Sequence, residues 1–565
     1  MHDAPADHEG RSILRARSFR TLGERAIAYE DADVIVIDKP PFVPTQASVR
    51  GRADDLPTRL AAFLSERDGT EAYVGTHQRL DQATSGLIAY GKRREANAWL
   101  ARAFEERRVS KAYVAAVSGA RLPDAARWED ALLDAGGDRV KVVPRGTRGS
   151  VVAKTEMRVT KRAADRALVS LRIETGRTHQ IRAQLAHRGA PIAGDAWYGG
   201  AAWRRLALDS VALRIPRDDA SAIDVHRAPD QSLLDFVDGR AEGPLEGSGL
   251  DVILRDAAER RYAVAHDDAT SCFRWVNEAG DGAPGIAIDV YGEHVVLNAY
   301  DERDVERLAR EICERGAAGV YLKRRPKQAS TLDEGATRRL APSEPIAGVA
   351  ADAEIEVLEN GLPLLVRLGD GLSTGLFLDQ RANRERVRLD AGGARVLNLF
   401  SYTCAFSVAA ASGGAVEVVS VDAAKKQLAR GVRGFAHAGL DAASHETIAD
   451  DAFTVLERFA RRARVFDLVV CDPPTYSSTQ RTRFTSGRMW NDLAARVLKV
   501  VAPGGRVLAT SNDRRLTQHD LRVAFRDAAR ALDVTLAQVK DLAPPIDFPV
   551  LSGETPHLKG VLVRR

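Results

Sequence analysis

The chain has 565 residues, too many for one hydrophobic core of ordinary size, so two or three domains are expected. Apolar residues make up 45% of it and charged residues 28%, a balance that excludes wholesale disorder. The 82 Lys and Arg against 78 Asp and Glu leave a net charge of +4, which excludes a global field strong enough to demand a polyanionic partner; a nucleic-acid site has to be a local basic patch.

The N-terminal stretch is polar and Arg-rich, and no later run approaches about 20 uninterrupted apolar residues, so neither export nor a membrane span is expected. Asp33–Ile37 (DVIVI) and Ala167–Ile173 (ALVSLRI) read as strands. Ala96, Trp99, Leu100, Ala103 and Phe104 follow the i, i+3, i+4 rule of one apolar helix stripe. Residues 1–235 therefore read as an α+β domain. Asp238–Leu250 (DGRAEGPLEGSGL) gathers Gly, Pro and acidic residues, which sets the main linker at 236–250. Residues 251–360 read as a small α/β domain. In the remainder, 361–565, the runs VLNLF, VEVVSV, FDLVVC and RVLAT alternate with helical stretches, the pattern of a Rossmann-like parallel sheet with helices on both faces. The four cysteines, Cys272, Cys313, Cys404 and Cys471, are too widely spaced for a disulfide framework or a CxxC metal site, so a reducing cytoplasm fits and no metal is expected.

The first chemical motif is HQRLDQATSG (His77–Gly86), in which the Asp81 carboxylate precedes small and hydroxylic residues suited to a tight turn and to close approach of a ligand. Tyr113 lies in the strand-like Val109–Val117 (VSKAYVAAV), and Thr175–Tyr198 (TGRTHQIRAQLAHRGAPIAGDAWY) concentrates Arg177, His179, Gln180, Arg182, His187 and Arg188. Taken singly, an Asp in a turn or a Tyr in a strand is ordinary structure. In this order the three segments resemble the signatures of RluA-type pseudouridine synthases, over most of residues 25–215. The resemblance implies Asp81 as the catalytic aspartate, Tyr113 as the active-site tyrosine and Arg182 as the basic partner of the aspartate. Asp38, Lys39 and Pro40 match the family's early strand end. The family's usual histidine falls at Gln78, with His77 one place earlier, a departure expected to touch RNA contacts more than catalysis. Such an enzyme breaks the N1–C1′ bond of a uridine, turns the base and rejoins it through C5, without a cofactor. Whether Asp81 attacks C1′, attacks C6 or removes a sugar proton stays open. The base has to leave its stack, so Arg79, Arg177, His179 and Gln180 are expected on the RNA.

In the rear sheet, a strand over Val396–Phe400 runs into SYTCAF, and the strand Val418–Val421 ends on Asp422. Both points fall at the carboxyl edge of a doubly wound sheet, where an acid takes ribose hydroxyls. The loop lacks GxGxxG, which disfavours a dinucleotide and suits S-adenosylmethionine, a nucleoside cofactor without phosphate. Asp451 follows the third strand; Asp472, Pro473, Pro474 and Tyr476 follow the fourth, where two prolines without N–H leave carbonyls and a carboxylate facing a planar base. WVNEAGDGAPGIAIDVYGE, GLSTGLFLDQRANR, NLFSYTCAFSVAA, VVSVDAA and CDPPTYS resemble, in order, the large-subunit ribosomal RNA methyltransferases of the RlmI and RlmK type, over residues 255–565. The resemblance implies Gln380, Phe400, Tyr402, Asp422 and Asp451 at the cofactor and Asp472 at the catalytic edge, while Tyr476, from its place after the prolines, is expected to stack on the substrate base. Cys404 stands where the family has Gly, which sets a side chain against the methionine end of the cofactor.

Methylation of cytosine C5 needs a cysteine thiolate that first adds to C6. The late strand ends as Thr510, Ser511, Asn512 and Asp513, without the cysteine of the C5-specific relatives, so a nitrogen target is favoured, guanine N7 first. The basic run Lys323, Arg324, Arg325 and Lys327 is either a phosphate grip or a solvated loop. The whole reads as a bifunctional enzyme for structured RNA, 23S ribosomal RNA ahead of transfer RNA. Two other readings stay open: a rear domain that only binds RNA, and a rear domain that methylates a protein or small molecule.

Overall fold

The computed structural model describes residues 13–19, 22–46, 54–119, 122–136, 139–240, 247–326, 334–474, 476–478, 483–551 and 554–565. The chain separates into two compact units, one within residues 1–266, 278–285 and 551–554, the other within 267–277, 286–550 and 555–565.

The front unit is built on an eleven-stranded sheet: β1 (Ile27–Glu30), β2 (Val34–Lys39), β3 (Gly75–Thr76), β4 (Ser85–Gly91), β5 (Ser110–Ser118), β6 (Ala125–Gly136), β7 (Arg139–Val143), β8 (Val151–Ala163), β9 (Arg166–Ile173), β10 (Leu208–Pro216) and β11 (Ala222–His226). The order is β1-β2-β4-β10-β5-β9-β8-β6-β7, with β3 on β4 and β11 on β10. Every pair is antiparallel except β4 with β10. The unbroken apolar run of β2 has a simple cause. Ile35 and Ile37 enter the core on one face, and Val34 and Val36 enter the core on the other, where the helix Asn97–Glu105 adds Leu100 and Ala103. A strand covered on both faces has no reason to alternate.

The small residues after Asp81 serve this sheet. Gly86 sits at φ 103°, and a Cβ there would lie 2.2 Å from the carbonyl oxygen of Ser210 on β10. At Gly86 the close approach is thus strand to strand.

The expected linker is corrected in part. Phe236 and Val237 lie in the core at the end of the helix Gln231–Asp238. Residues 241–246 lie outside the described residues. Gly247–Arg260 is a helix of the front unit, with Leu250, Ile253, Leu254 and Ala257 buried. Its Glu259 pairs with Arg59 at 2.6 Å and its Asp256 with Arg204 at 2.5 Å. The front unit therefore reaches His266 instead of ending at residue 235. The glycines and acids at the start of this segment hid an amphipathic helix.

The rear unit opens with a five-stranded sheet, β12 (Cys272–Asn277), β13 (Ile286–Tyr291), β14 (His294–Ala299), β15 (Gly319–Arg324) and β16 (Ala347–Gly348), with the helix Glu306–Glu314 linking the parallel pair β14 and β15. A hairpin of β17 (Ile355–Glu359) and β18 (Leu362–Val366) follows. The main sheet uses β19 (Arg395–Leu399), β20 (Glu417–Asp422), β21 (Glu446–Ala449), β22 (Phe466–Cys471), β25 (Val501–Ser511), β26 (Gln538–Leu542) and β27 (Lys559–Arg564), the short pair β23 (Tyr476–Ser478) and β24 (Arg483–Thr485) standing apart. Its order is β21-β20-β19-β22-β25-β27-β26, parallel up to β25 and antiparallel beyond. Alternate residues of one strand feed opposite cores: Leu397 and Leu399 one, Val396 the other. The chain reverses its direction of winding between β19 and β22, and that crevice is where such sheets take a ligand.

Candidate active sites

Asp81 lies in the loop between β3 and β4, in a turn closed by Thr84 N–H donating to the Asp81 carbonyl at 3.0 Å. Lys39, at the end of β2, is buried and donates to the carbonyls of Pro40, Val43 and Gln82, each at 2.9 Å, which pins this loop from below. Burial pushes the Lys39 ammonium down to about 7, against the opposing charge of Asp81.

Arg182 projects from the helix Gln180–His187 and forks onto Asp195 through Nε at 2.7 Å and Nη2 at 2.8 Å, while its Nη1 donates to Asp81 Oδ2 at 3.2 Å. A bidentate anchor on one carboxylate thereby aims the guanidinium at another. His179, the residue preceding the helix, has φ 49°, and its Nε2 lies 3.7 Å from Asp81 Oδ2. Its Nδ1 is 3.3 Å from Tyr198 Oη, and that hydroxyl exchanges 3.0 Å hydrogen bonds with the N–H and carbonyl of Val140. Tyr113 sits mid-sheet opposite Ser210 and Leu171. Burial and then the charge of Asp81 push its phenol well above the usual range, so it stays protonated.

These groups share one cavity of about 720 Å³, lined by Asp81, Tyr113, Arg182, Arg79, Arg177 and His179 among others. Arg79 is exposed and donates to Gln46 Oε1 at 3.0 Å; Arg177 Nε donates to the Val152 carbonyl at 3.2 Å. Gln180 also lines this cavity, with its side-chain amide committed to the protein. Its amide donates to the Lys154 carbonyl and Thr155 Oγ1, both at 2.9 Å, and accepts from Thr175 Oγ1 at 2.8 Å and Arg177 N–H at 3.1 Å, so it braces the loop that carries Arg177. Next to Arg79, His77 is tied to Asn97 Oδ1 at 2.9 Å, whereas buried Gln78 has no partner for Nε2 among the described residues. Lys39, Lys111, Asp195 and Trp197 belong to this neighbourhood and were not singled out as site residues. Asp195 and Trp197 stood in the quoted Thr175–Tyr198 segment, whose fold onto Asp81 no spacing reveals.

In the rear unit a cavity of about 330 Å³ opens at the winding reversal, lined by Gln380, Phe400, Tyr402, Asp422, Asp451, Asp472, Pro473 and Pro474, with Phe377, Asp379 and Asn512. Asp422 accepts from Tyr402 N–H and Ala424 N–H, each at 2.8 Å, which leaves carboxylate lone pairs for vicinal hydroxyls. Asp451 caps the helix Ala452–Arg461 by accepting from Thr454 N–H at 3.0 Å. Asp472 accepts from Thr510 Oγ1 at 2.6 Å and Gln380 Nε2 at 3.0 Å, and Asn383 holds Gln380 in turn at 2.7 Å. Burial pushes the Asp472 carboxyl up, opposed by those two hydrogen bonds. Asp379 is pushed up to about 6, by burial and then, against Arg274, by the charge of Asp472. An acid beyond the second strand, aromatic rings and no glycine cradle fit S-adenosylmethionine, which Gln380, Phe400, Tyr402, Asp422 and Asp451, as lining residues, would hold.

The expected crowding by Cys404 is not found. Its backbone adopts φ 62°, and its side chain is fully buried away from the cavity, against the helix Lys425–His437. There Gly431 makes room: a Cβ on it would meet the Cys404 sulfur at 2.4 Å. Burial pushes the Cys404 thiol up to about 11 and that of Cys471 well above its ordinary value, and neither sulfur lines the cavity. The basic run is committed to the protein. Lys323 is buried and donates to the Gly371 carbonyl, Arg324 Nη1 to that of Asp301 at 3.0 Å, and Arg325 Nε to Asn298 Oδ1 at 2.9 Å. Lys327 and the side chain of Tyr476 lie outside the described residues. Among the described residues no cluster of three or more His, Cys, Asp or Glu could hold a metal ion, and no helix is long and apolar enough to cross a membrane.

A family model described as RNA pseudouridylate synthase matches residues 33–187, and one described as S-adenosylmethionine-dependent methyltransferase matches residues 337–564. The chain is 30% identical over 321 residues to the putative ribosomal RNA large subunit methyltransferase YwbD of Bacillus subtilis, covering 55% of this chain and 79% of that protein. It is 30% identical over 325 residues to the ribosomal RNA large subunit methyltransferase I of Aeromonas salmonicida, again 55% and 79%. Among solved structures, a putative methyltransferase complexed with SAH superimposes with a TM-score of 0.51 at 26% identity, covering 63% of this chain and 89% of that one.

Proposed function

The chain belongs to the RNA pseudouridylate synthase family through its front half and to the S-adenosylmethionine-dependent large-subunit ribosomal RNA methyltransferase family through its rear half, and from that premise we propose an enzyme that isomerises a uridine and methylates guanine N7 in 23S ribosomal RNA. The observation that carries the first reaction is the Asp81 carboxylate held between Arg182 and His179 in the cavity that Tyr113 also lines. An everted uridine in that cavity would meet Asp81 at its sugar or base while Arg182 keeps the carboxylate in one rotamer. Protonated Tyr113 serves as a donor and a ring beneath the base. Removal of the C5 proton falls to the groups that face the base, Asp81 and Tyr113, both of which line the cavity.

For the second reaction, S-adenosylmethionine supplies an electrophilic methyl group. Asp472 and the carbonyls around Pro473 and Pro474 would orient the target base. A nitrogen target is supported by the cysteines: all four are described, and none lines the rear cavity, so no thiolate is available to add to C6 of a pyrimidine. Methylation at N7 leaves the purine cationic, which the Asp472 carboxylate would stabilise. The test is nucleoside mapping of ribosomal and transfer RNA from a deletion strain complemented with Asp81→Ala or Asp472→Ala. Each variant is expected to lose one modification and keep the other. Restoration of both marks by both variants would overturn the proposal, and a lost mark in transfer RNA would redirect the substrate.

A further inference from the structure

We propose that Trp197, packed against the wall of the Asp81 cavity, is a stacking platform for the unpaired nucleotide next to the everted uridine; this rests on the front unit acting on RNA. Its indole is 41% exposed, so it does not fill the core. It is nonetheless fixed. Its N–H donates to Asp195 Oδ1 at 3.2 Å, so the carboxylate that anchors Arg182 also anchors the tryptophan backbone. The ring meets the edge of His179 at 5.3 Å, and the guanidinium carbons of Arg182 and Arg139 lie 5.5 and 5.6 Å from its centroid. His179 and Arg182 line the Asp81 cavity, so Trp197 packs against two residues of its wall.

An exposed aromatic ring beside the exposed guanidinium of Arg139 matches the chemistry of one nucleotide: a base with a π face joined to an anionic phosphate. Turning a uridine out of its stack strips its neighbour of a stacking partner, and a ring just outside the cavity replaces it. Tyr198 ties the site to the β7 backbone at Val140, one residue from Arg139, whose guanidinium carbon lies 5.6 Å from the ring centroid.

The test uses the full chain and, as probe, ribosomal RNA labelled with 5-tritiated uridine in a strain lacking the gene; isomerisation releases the C5 tritium. Trp197→Ala is expected to raise KM about tenfold, within the five- to hundredfold span of one base stack, with kcat within about twofold. Trp197→Phe should keep most of the affinity, and Arg139→Ala should raise KM about threefold. Ultraviolet crosslinking should join Trp197 to the nucleotide beside the isomerised position. An unchanged KM without crosslink overturns the platform, as does a fall in kcat at constant KM, which would mean that Trp197 merely positions His179 and Arg182. Should the wild type release no tritium, the isomerase reading falls by itself. The platform is then judged by binding of the same RNA, where equal Kd values for wild type and Trp197→Ala sink it and weaker binding by the variant sustains it.

Discussion

Arg182 joins a buried anchor, Asp195, to Asp81, the carboxylate proposed for catalysis, and the two contacts separate by double substitution. In Arg182→Met the carboxylate of Asp195, 1% exposed, loses both guanidinium hydrogen bonds and becomes an uncompensated buried charge. That is expected to cost about 3–5 kcal/mol of stability. Asp81 loses its 3.2 Å partner but is half-buried with a solvent-facing side, so its loss is expressed in geometry. Freed from its rotamer, it should lower tritium release from labelled RNA by about a hundredfold. Adding Asp195→Asn removes the buried charge and keeps an oxygen acceptor for Trp197 N–H. The double variant should recover about 2 kcal/mol or more of the loss while its activity stays where the single variant left it. Urea unfolding of the front unit and tritium release measure the two quantities. Activity that returns with stability, or stability that does not return, would refute the division of labour.

Gly431→Ala should destabilise the rear unit by about 1–3 kcal/mol, since its Cβ would overlap the Cys404 sulfur. Cys404→Gly/Gly431→Ala should regain most of that in thermal melts. Gln180→Leu breaks four hydrogen bonds at once and should lower the unfolding free energy from urea melts by about 2–4 kcal/mol, with its defect showing as lost stability. Lys39 yields a pH signature: burial holds its folded value at about 7 against an ordinary 10.5, so the unfolded chain binds more protons between these values. Its contribution to stability therefore rises with pH across that window. The urea midpoint of the wild type relative to Lys39→Met should increase from pH 7 to pH 9, and a flat or falling difference would contradict the assigned burial.

Much of the site was legible because each key residue sits in an unbroken local motif. Asp81 in its turn, Tyr113 in its strand, and Asp422 and Asp472 at strand ends carry their own context in a few neighbouring residues. Gln180 shows the limit. In the sequence it is one more polar residue among Arg177, His179 and Arg182, and only the four partners around its amide reveal a brace. Cys404 shows another, because whether its side chain crowds the cavity depends on a left-handed backbone and on a glycine in a different helix. The helix Gly247–Arg260 was hidden for a compositional reason, as its first residues and those before them are rich in Gly, Pro and acids in the sequence.

By itself the sequence determined the two chemistries, the order of the units and the parallel rear sheet, since motif residues and hydrophobic periodicity act over a few positions along the chain. The tertiary structure alone decided which carboxylate Arg182 anchors on and which it aims at. It also decided that Cys404 turns away from the rear cavity and that Trp197 packs, exposed, against His179 and Arg182. Those outcomes depend on contacts between residues far apart in the chain, where packing and the pairing of buried charges choose among arrangements that local pattern leaves equal.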